Sequence, residues 1–315
     1  MKILYAGTPE FAVAPLENII ASQAETGIEV VGVITQTDKP QGRKGILTPP
    51  PVKVKATELG LPVFQPAKIG EFISELQALG AEALVTCAYG QILTQAVLNA
   101  FPKGVWNIHA GLLPKYRGAS PIQSCILAGE VETGVSVMKT ELGLDSGDVL
   151  AVRKTPIGEY ETCGELSARL SALGAEMIVE ALKGVKSGDY RLTKQETEGV
   201  QTVRKIGKEQ ARIDFTKSAR EIVNLVRAMN PAPIAYACIG GNKLNVLKAE
   251  VCTFENEGAE QGEVLCDQPK KGFIVKCGEG AIKIIELQPA GGKKMNASDF
   301  LNGRKVKAGE VFDAL

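Results

Sequence analysis

Apolar and polar positions fall into two regimes along the chain. Residues 2–6 form a short apolar run that reads as a buried strand ending at Gly7. Thr8-Pro9-Glu10 then reads as a helix start with proline in the first turn. A helix over 11–22 and a strand over 29–35 complete a βαβ opening, which predicts parallel strands joined by a right-handed crossover. The pattern continues with helices over 53–59, 70–79, 93–99 and 121–127 and strands over 63–65, 83–88, 134–140 and 149–152. An amphipathic helix over 163–182 closes this half of the chain.

The second regime begins after residues 185–212, which are polar, lack periodicity and read as a linker. Residues 218–229 have helical spacing and stop at Asn230-Pro231, since proline disfavours helix in the residue before it. Short alternating stretches then recur at 235–239, 244–251, 262–266, 273–277 and 281–289, divided by Gly and Pro. This spacing predicts a small β-barrel of five or six strands. The expected fold class is α/β: a Rossmann-like parallel sheet over 1–189, a linker over 190–208 and an OB-like β-barrel domain over 209–315.

Composition adds mainly exclusions. Hydrophobic residues at 44% and charged residues at 23% are ordinary for a globular protein of two domains. The formal net charge is zero, so no overall field advertises a polyanionic partner. Residues 190–315 nevertheless carry 20 Lys and Arg against 16 Asp and Glu. The seven cysteines contain no CxxC pair and there is one histidine, which argues against a disulfide framework and against a metal site. The N-terminus runs directly into a strand, and no run of eighteen apolar residues occurs. A cytoplasmic location, no membrane partner and, without heptads, a monomer are expected.

Candidate chemistry concentrates in 105–123, VWNIHAGLLPKYRGASPIQ, which holds the only Trp and the only His. If 105–109 is extended, Asn107 and His109 project from one face and Ile108 from the other. Gly111, Pro114 and Gly118 then break regular structure. In open α/β sheets ligands bind outside the carboxyl ends of strands, where both this turn and Tyr89 would lie. Residues 141–148 form an acidic, Gly-punctuated hairpin whose notable acid is Asp145. The opening GTPEFA lacks the GxGxxG fingerprint, which weakens a dinucleotide-binding reading. The 36–51 connection presents Arg43 and Lys44 between glycines, two cations suited to phosphate, although a solvated loop has the same composition.

The NIHAGLLP run at 107–114, YRG at 116–118 and LDSGD at 144–148 resemble the hallmark of folate-dependent formyltransferases. GTPEFA, the TQTDKPQGRKGILTPPPVK loop, AYGQIL at 88–93, NPAPIAY at 230–236 and LQPAGGKKMNASDFLNG at 287–303 are similar to the branch that acts on methionyl-tRNA. The resemblance covers the whole chain. It implies a catalytic set of Asn107, His109 and Asp145, and a folate-binding turn of Gly111, Leu112, Leu113 and Pro114, with Gly at 111 where the family often has Ser. It also implies 10-formyltetrahydrofolate as co-substrate, no metal, and transfer of its formyl group to the α-amine of methionyl initiator tRNA. Asn107 and His109 would donate to the formyl oxygen, and Asp145, if within reach, would raise the histidine's pKa and assist proton transfer. The basic loop and the barrel would contact tRNA. A formyltransferase for a small amine (glycinamide ribonucleotide or an amino sugar) and a non-catalytic folate- or RNA-binding module are the alternatives.

Overall fold

The computed structural model describes residues 1–42, 45–254, 258–303 and 306–314. They divide into two compact units. The first comprises 1–121, 132–156 and 167–203, and the second 122–131, 157–166 and 204–315.

The first unit is built on strands β1 (Lys2–Gly7), β2 (Glu29–Ile34), β3 (Val63–Phe64), β4 (Ala83–Cys87), β5 (Val105–His109), β6 (Glu132–Lys139) and β7 (Val149–Pro156). Among the described residues they form one seven-stranded sheet in the order β7-β6-β5-β4-β1-β2-β3. β3, β2, β1, β4 and β5 are parallel to one another. The sheet departs from the all-parallel expectation at one side only, where β6 runs antiparallel to β5 and β7 antiparallel to β6. The 140–148 hairpin joins the last two, a connection too short for a parallel crossover. β1 and β4 are covered on both faces, so ILYA and ALVTC are continuously buried rather than alternating.

Helix α1 (Val13–Ala21) follows β1, and the short helices α2 (Pro51–Glu58), α3 (Ile73–Ala78) and α4 (Gln95–Asn99) join the next strands; α5 is Pro121–Leu127 and α6 is Cys163–Ser187. Two glycines set distances that matter for the site. A Cβ at Gly174 of α6 would come 2.8 Å from Ile108 Cγ2. Ile108 therefore points toward α6, and the alternation of β5 turns Asn107 and His109 to the other face. A Cβ at Gly134 of β6 would fall on the Arg153 carbonyl oxygen and 2.6 Å from Leu112 Cδ2. Glycine there lets Leu112 of the turn after β5 lie close against β6.

The second unit contains α7 (Ala219–Ala228), strands β8 (Ala235–Ile239), β9 (Asn242–Cys252), β10 (Val264–Gln268), β11 (Gly272–Lys276), β12 (Ala281–Pro289) and β13 (Met295–Asn296), and α8 (Ala297–Asn302). The sheet is antiparallel in the order β8-β9-β12-β11-β10, with β13 on β12. Register shifts near Lys248 let the eleven-residue β9 bend while pairing with both neighbours. Val311 bridges Glu263 beside β10, and Phe312 bridges Ile239 of β8. The C-terminal residues thus bridge the two outer strands of the sheet, giving the expected small barrel. Helix α7 opens on a reciprocal capping box between Ser218 and Glu221. Its Arg227, buried, donates through Nε to Asn224 Oδ1 at 3.0 Å and through Nη1 to the Gly158 carbonyl at 3.2 Å. That guanidinium explains why 157–166 groups with residues far along the chain.

Gly134→Ala is expected to destabilise the first unit by about 2 kcal/mol or more, because the methyl group meets backbone that cannot move aside. Urea unfolding of the variant against the parent checks this.

Candidate active site

The site grows from the end of β5. Register places Thr86 of β4 beside Asn107, and Ser136 of β6 beside His109, all on the face that α6 does not cover. Thr86 Oγ1 donates to Asn107 Oδ1 at 2.9 Å. The amide oxygen of Asn107 is thereby occupied and its Nδ2 is the end left to face outward. Ser136, fully buried, donates to the Gly111 carbonyl at 2.7 Å and accepts from the Leu113 N–H at 3.3 Å. One hydroxyl thus pins both ends of the 111–113 turn. Neither Thr86 nor Ser136 was singled out from the sequence. The available signal is a hydroxyl residue inside an otherwise apolar strand, in ALVTC and GVSVM, since buried polar groups require partners.

His109 is buried, at 4% exposure. Its Nδ1 lies 3.6 Å from Asp145 Oδ2, and the imidazole donates to the Tyr116 backbone carbonyl. Nε2 is buried without a hydrogen-bond partner among the described residues. The proton of the neutral ring therefore sits on Nδ1, and Nε2 carries an unused lone pair. The expectation that Asp145 raises the histidine's pKa is met in sign but not in outcome. Burial lowers the pKa below 6.5 and outweighs the raising effects of the Asp145 charge and the Tyr116 carbonyl, while Arg117 adds a further lowering. The imidazole is neutral at pH 7 because desolvating a cation costs more than these two partners return.

Asp145 arrives from the 140–148 hairpin, and its Oδ2 also accepts from the Gly118 N–H at 2.8 Å. Asp145 and Tyr116 both have left-handed backbone, φ 46° and 55°, a conformation that concentrates at functional sites because it costs energy elsewhere avoided. Gly118 has φ 116°, and a Cβ there would strike the Val203 carbonyl oxygen. That close approach exists because 117–118 pairs in parallel with Thr202–Val203. Residues expected to form a linker are thus fastened to the site. Thr193 bridges Val149, and Gln195 bonds Arg117, Asp145 and Gly147. Polar composition concealed this, since the contacts are made by backbone and one amide.

The remaining candidates divide. A Cβ at Gly111 would stand 3.1 Å from His109 Nε2, so glycine keeps that nitrogen open. Leu112 to Pro114 follow in the same pinned turn. Tyr89 is placed differently: its ring packs in the cluster of Leu84, Leu93, Val97 and Phe101, and burial pushes its phenol up to about 12. Its carbonyl, accepting from Thr8 Oγ1 and Gln36 Nε2, is what it offers at the strand ends. Arg43 and Lys44 lie outside the described residues. The segments flanking them, Lys39–Gln41 and Ile46–Thr48, pair as an antiparallel ribbon with Ile46 and Leu47 exposed. Its base is held by Lys53, which contacts both Asp38 oxygens at 2.8 Å, and by Gln65, which bonds Asp38 and the Gln36 carbonyl. The Lys53 ammonium, with Gln65, holds the Asp38 carboxyl below its usual range.

A neutral imidazole with an unused lone pair, an amide N–H and a nearby carboxylate at the end of a parallel strand are residue types suited to acyl-group transfer. Comparison with known proteins specifies it. Residues 1–182 match the formyl transferase family and residues 205–305 the formyl transferase C-terminal domain. The chain belongs to the formyl transferase family. It is 43% identical over 314 residues to the methionyl-tRNA formyltransferase of Symbiobacterium thermophilum, covering 99% of this chain and 95% of that protein. It is 44% identical over 313 residues to the methionyl-tRNA formyltransferase of Neisseria meningitidis serogroup A, covering 98% of this chain and 99% of that one. In fold it is similar to the solved N-formyltransferase of Helicobacter canadensis in complex with folinic acid and dTDP-3-aminofucose. That match has a TM-score of 0.67 at 21% identity and covers 90% of this chain and 98% of the other.

His109 is the sole histidine, so its titration can be read in stability. A folded-state pKa below 6.5 means that the unfolded chain binds the proton first. Its contribution is complete above pH 6.5 and is lost as pH falls through the lowered value. Between about pH 7 and pH 5 the parent should lose more stability than His109→Asn, measured by urea midpoints at each pH.

Proposed function

We propose that this protein transfers the formyl group of 10-formyltetrahydrofolate to the α-amine of methionyl initiator tRNA, with Asn107, His109 and Asp145 as its catalytic residues. The observation that carries the chemistry is the buried, unpartnered His109 Nε2 on the same face as the Asn107 amide. Near-full-length relatives named methionyl-tRNA formyltransferase support methionyl-tRNA as the acceptor.

The site suits the folate co-substrate on its own terms. Gly111 puts no side chain against His109 Nε2, and the turn of Gly111, Leu112, Leu113 and Pro114, pinned by Ser136, supplies backbone and apolar surface for the ring system. Bound there, formyl-folate supplies the activated formyl group. His109 Nε2 takes the proton released as the amine forms its new bond, which neutral imidazole can do and imidazolium cannot. Asp145 Oδ2 and the Tyr116 carbonyl then stabilise the charged ring, and Nε2–H returns the proton toward the departing nitrogen. Asn107 Nδ2 donates to the oxygen on which charge develops, an interaction whose loss typically costs roughly 3–4 kcal/mol of barrier. This refines the reading in which the histidine begins as a donor, because its resting proton lies on the other nitrogen.

In domain terms, 1–189 is the catalytic part, 190–208 the connection and 209–315 the tRNA-binding part of a cytoplasmic monomer. Arg43 and Lys44 bind the acceptor end of the tRNA.

Incubation with formyl-folate and either methionyl-tRNA or a small amine tests the function directly. Formylation of the amine in preference to the charged tRNA would replace the proposal with the small-molecule alternative. Asp145→Asn should lower kcat by roughly 10³-fold, with the KM for formyl-folate nearly unchanged. Single-turnover rates close to the parent's would remove Asp145 from the mechanism. Arg43→Ala should raise KM for charged tRNA several-fold while leaving that for folate alone; a parallel rise in both would exclude a tRNA-specific role.

A further inference from the structure

We infer that Gln195 is the positioning residue that sets the place of Asp145, acting as a latch between the two turns that meet at His109. The inference rests on the catalytic reading of Asp145 above.

Both ends of the Gln195 amide are committed. Nε2 donates to the Asp145 carbonyl at 2.9 Å and to the Gly147 carbonyl at 2.7 Å. Oε1 accepts from Arg117 Nε at 3.1 Å and from Arg117 Nη2 at 2.7 Å. A flipped amide would set oxygen against two carbonyls and NH2 against a guanidinium, so one orientation is enforced. The two carbonyls flank Ser146, and between them they fix the turn in which Asp145 holds its left-handed φ of 46°. Such a conformation persists only where surroundings over-determine it. The carboxylate itself is met by the Gly118 N–H at 2.8 Å. Gly118 follows Arg117, so the 116–118 turn grips Asp145 twice: by its backbone N–H directly, and by Arg117 through Gln195.

The latch is itself anchored. Thr193 exchanges two backbone hydrogen bonds with Val149, each 2.8 Å. Further on, Thr202 and Val203 pair with Arg117 and Gly118. Gln195 thus projects from a segment fixed on both sides. Its oxygen also occupies two donors of Arg117, the cation whose charge lowers the His109 pKa.

The test is a double-mutant cycle with Asp145→Asn in steady-state kinetics. Gln195→Ala should reduce kcat by roughly 10²-fold, the scale of a 1 Å misplacement. KM for both substrates should stay within about threefold, because the change is confined to the reacting centre. Gln195→Glu keeps the size and the acceptor for Arg117 but cannot donate to the two carbonyls. It should show the same loss, and it decides the matter if the alanine variant fails to fold. Added to Asp145→Asn, either change should cost nothing further. In the single variants the acid limb of kcat should move to lower pH, because His109 loses the raising influence of the nearby carboxylate. Parent-like kcat in a folded Gln195 variant would overturn the inference and leave Asp145 standing, as would an equal loss in the Asp145→Asn background. Parent-like kcat in Asp145→Asn alone would overturn the catalytic reading beneath it.

Discussion

The structure turns on the one-sided burial of a single imidazole. At the end of β5, His109 is removed from water with partners for Nδ1 and, among the described residues, none for Nε2. An unpaired polar atom of this kind costs on the order of 1–3 kcal/mol in a resting protein. The same burial keeps the ring neutral and its Nε2 lone pair unused. Desolvation and the Asp145 carboxylate act in opposition on the histidine. Desolvation prevails in the resting state, and the carboxylate becomes most useful when the ring acquires charge.

Holding that balance requires three chain segments to agree in position. The turn after β5 supplies the Tyr116 carbonyl and the Gly118 N–H, the β6–β7 hairpin supplies Asp145, and the segment after α6 supplies Gln195. All are irregular; the first is fastened by Ser136 of β6 and the third by Val149 of β7. Loops positioned by a rigid sheet are the usual way of placing reacting groups. Here the sheet fixes the imidazole and the loops bring the charge to it.

Much of the sheet was legible from pattern because its signals are local. β1 and β4 are apolar runs bounded by turn residues, and α5 starts at the Pro and ends at the Leu read from the sequence. The helical spacing of α7 and the alternating strands of the barrel were equally readable. Asn107 and His109 on one face follow from a strand period of two. The antiparallel addition of β6 and β7 was less legible, because pairing direction depends on where the chain returns rather than on the composition of the strands. Tyr89 shows the limit of placement by strand end: its backbone is at the crevice, but its ring is drawn into the Leu84–Phe101 cluster by burial. The polar 193–203 stretch was read as linker because a hydrogen bond between an amide and a distant carbonyl has no periodicity.

The sequence by itself determined the element types, the placing of Asn107 and His109 on one face and, through its resemblance, the chemical family. These depend on short-range sterics and on the spacing of apolar side chains. Tertiary structure alone decided which nitrogen of His109 holds its proton, that the ring is neutral despite a carboxylate 3.6 Å away, and that Gln195 belongs to the site. Protonation and orientation are set by desolvation and by contacts such as His109 with Asp145, 36 residues apart, and Asp145 with Gln195, 50 residues apart, and such contacts exist only once the chain is folded.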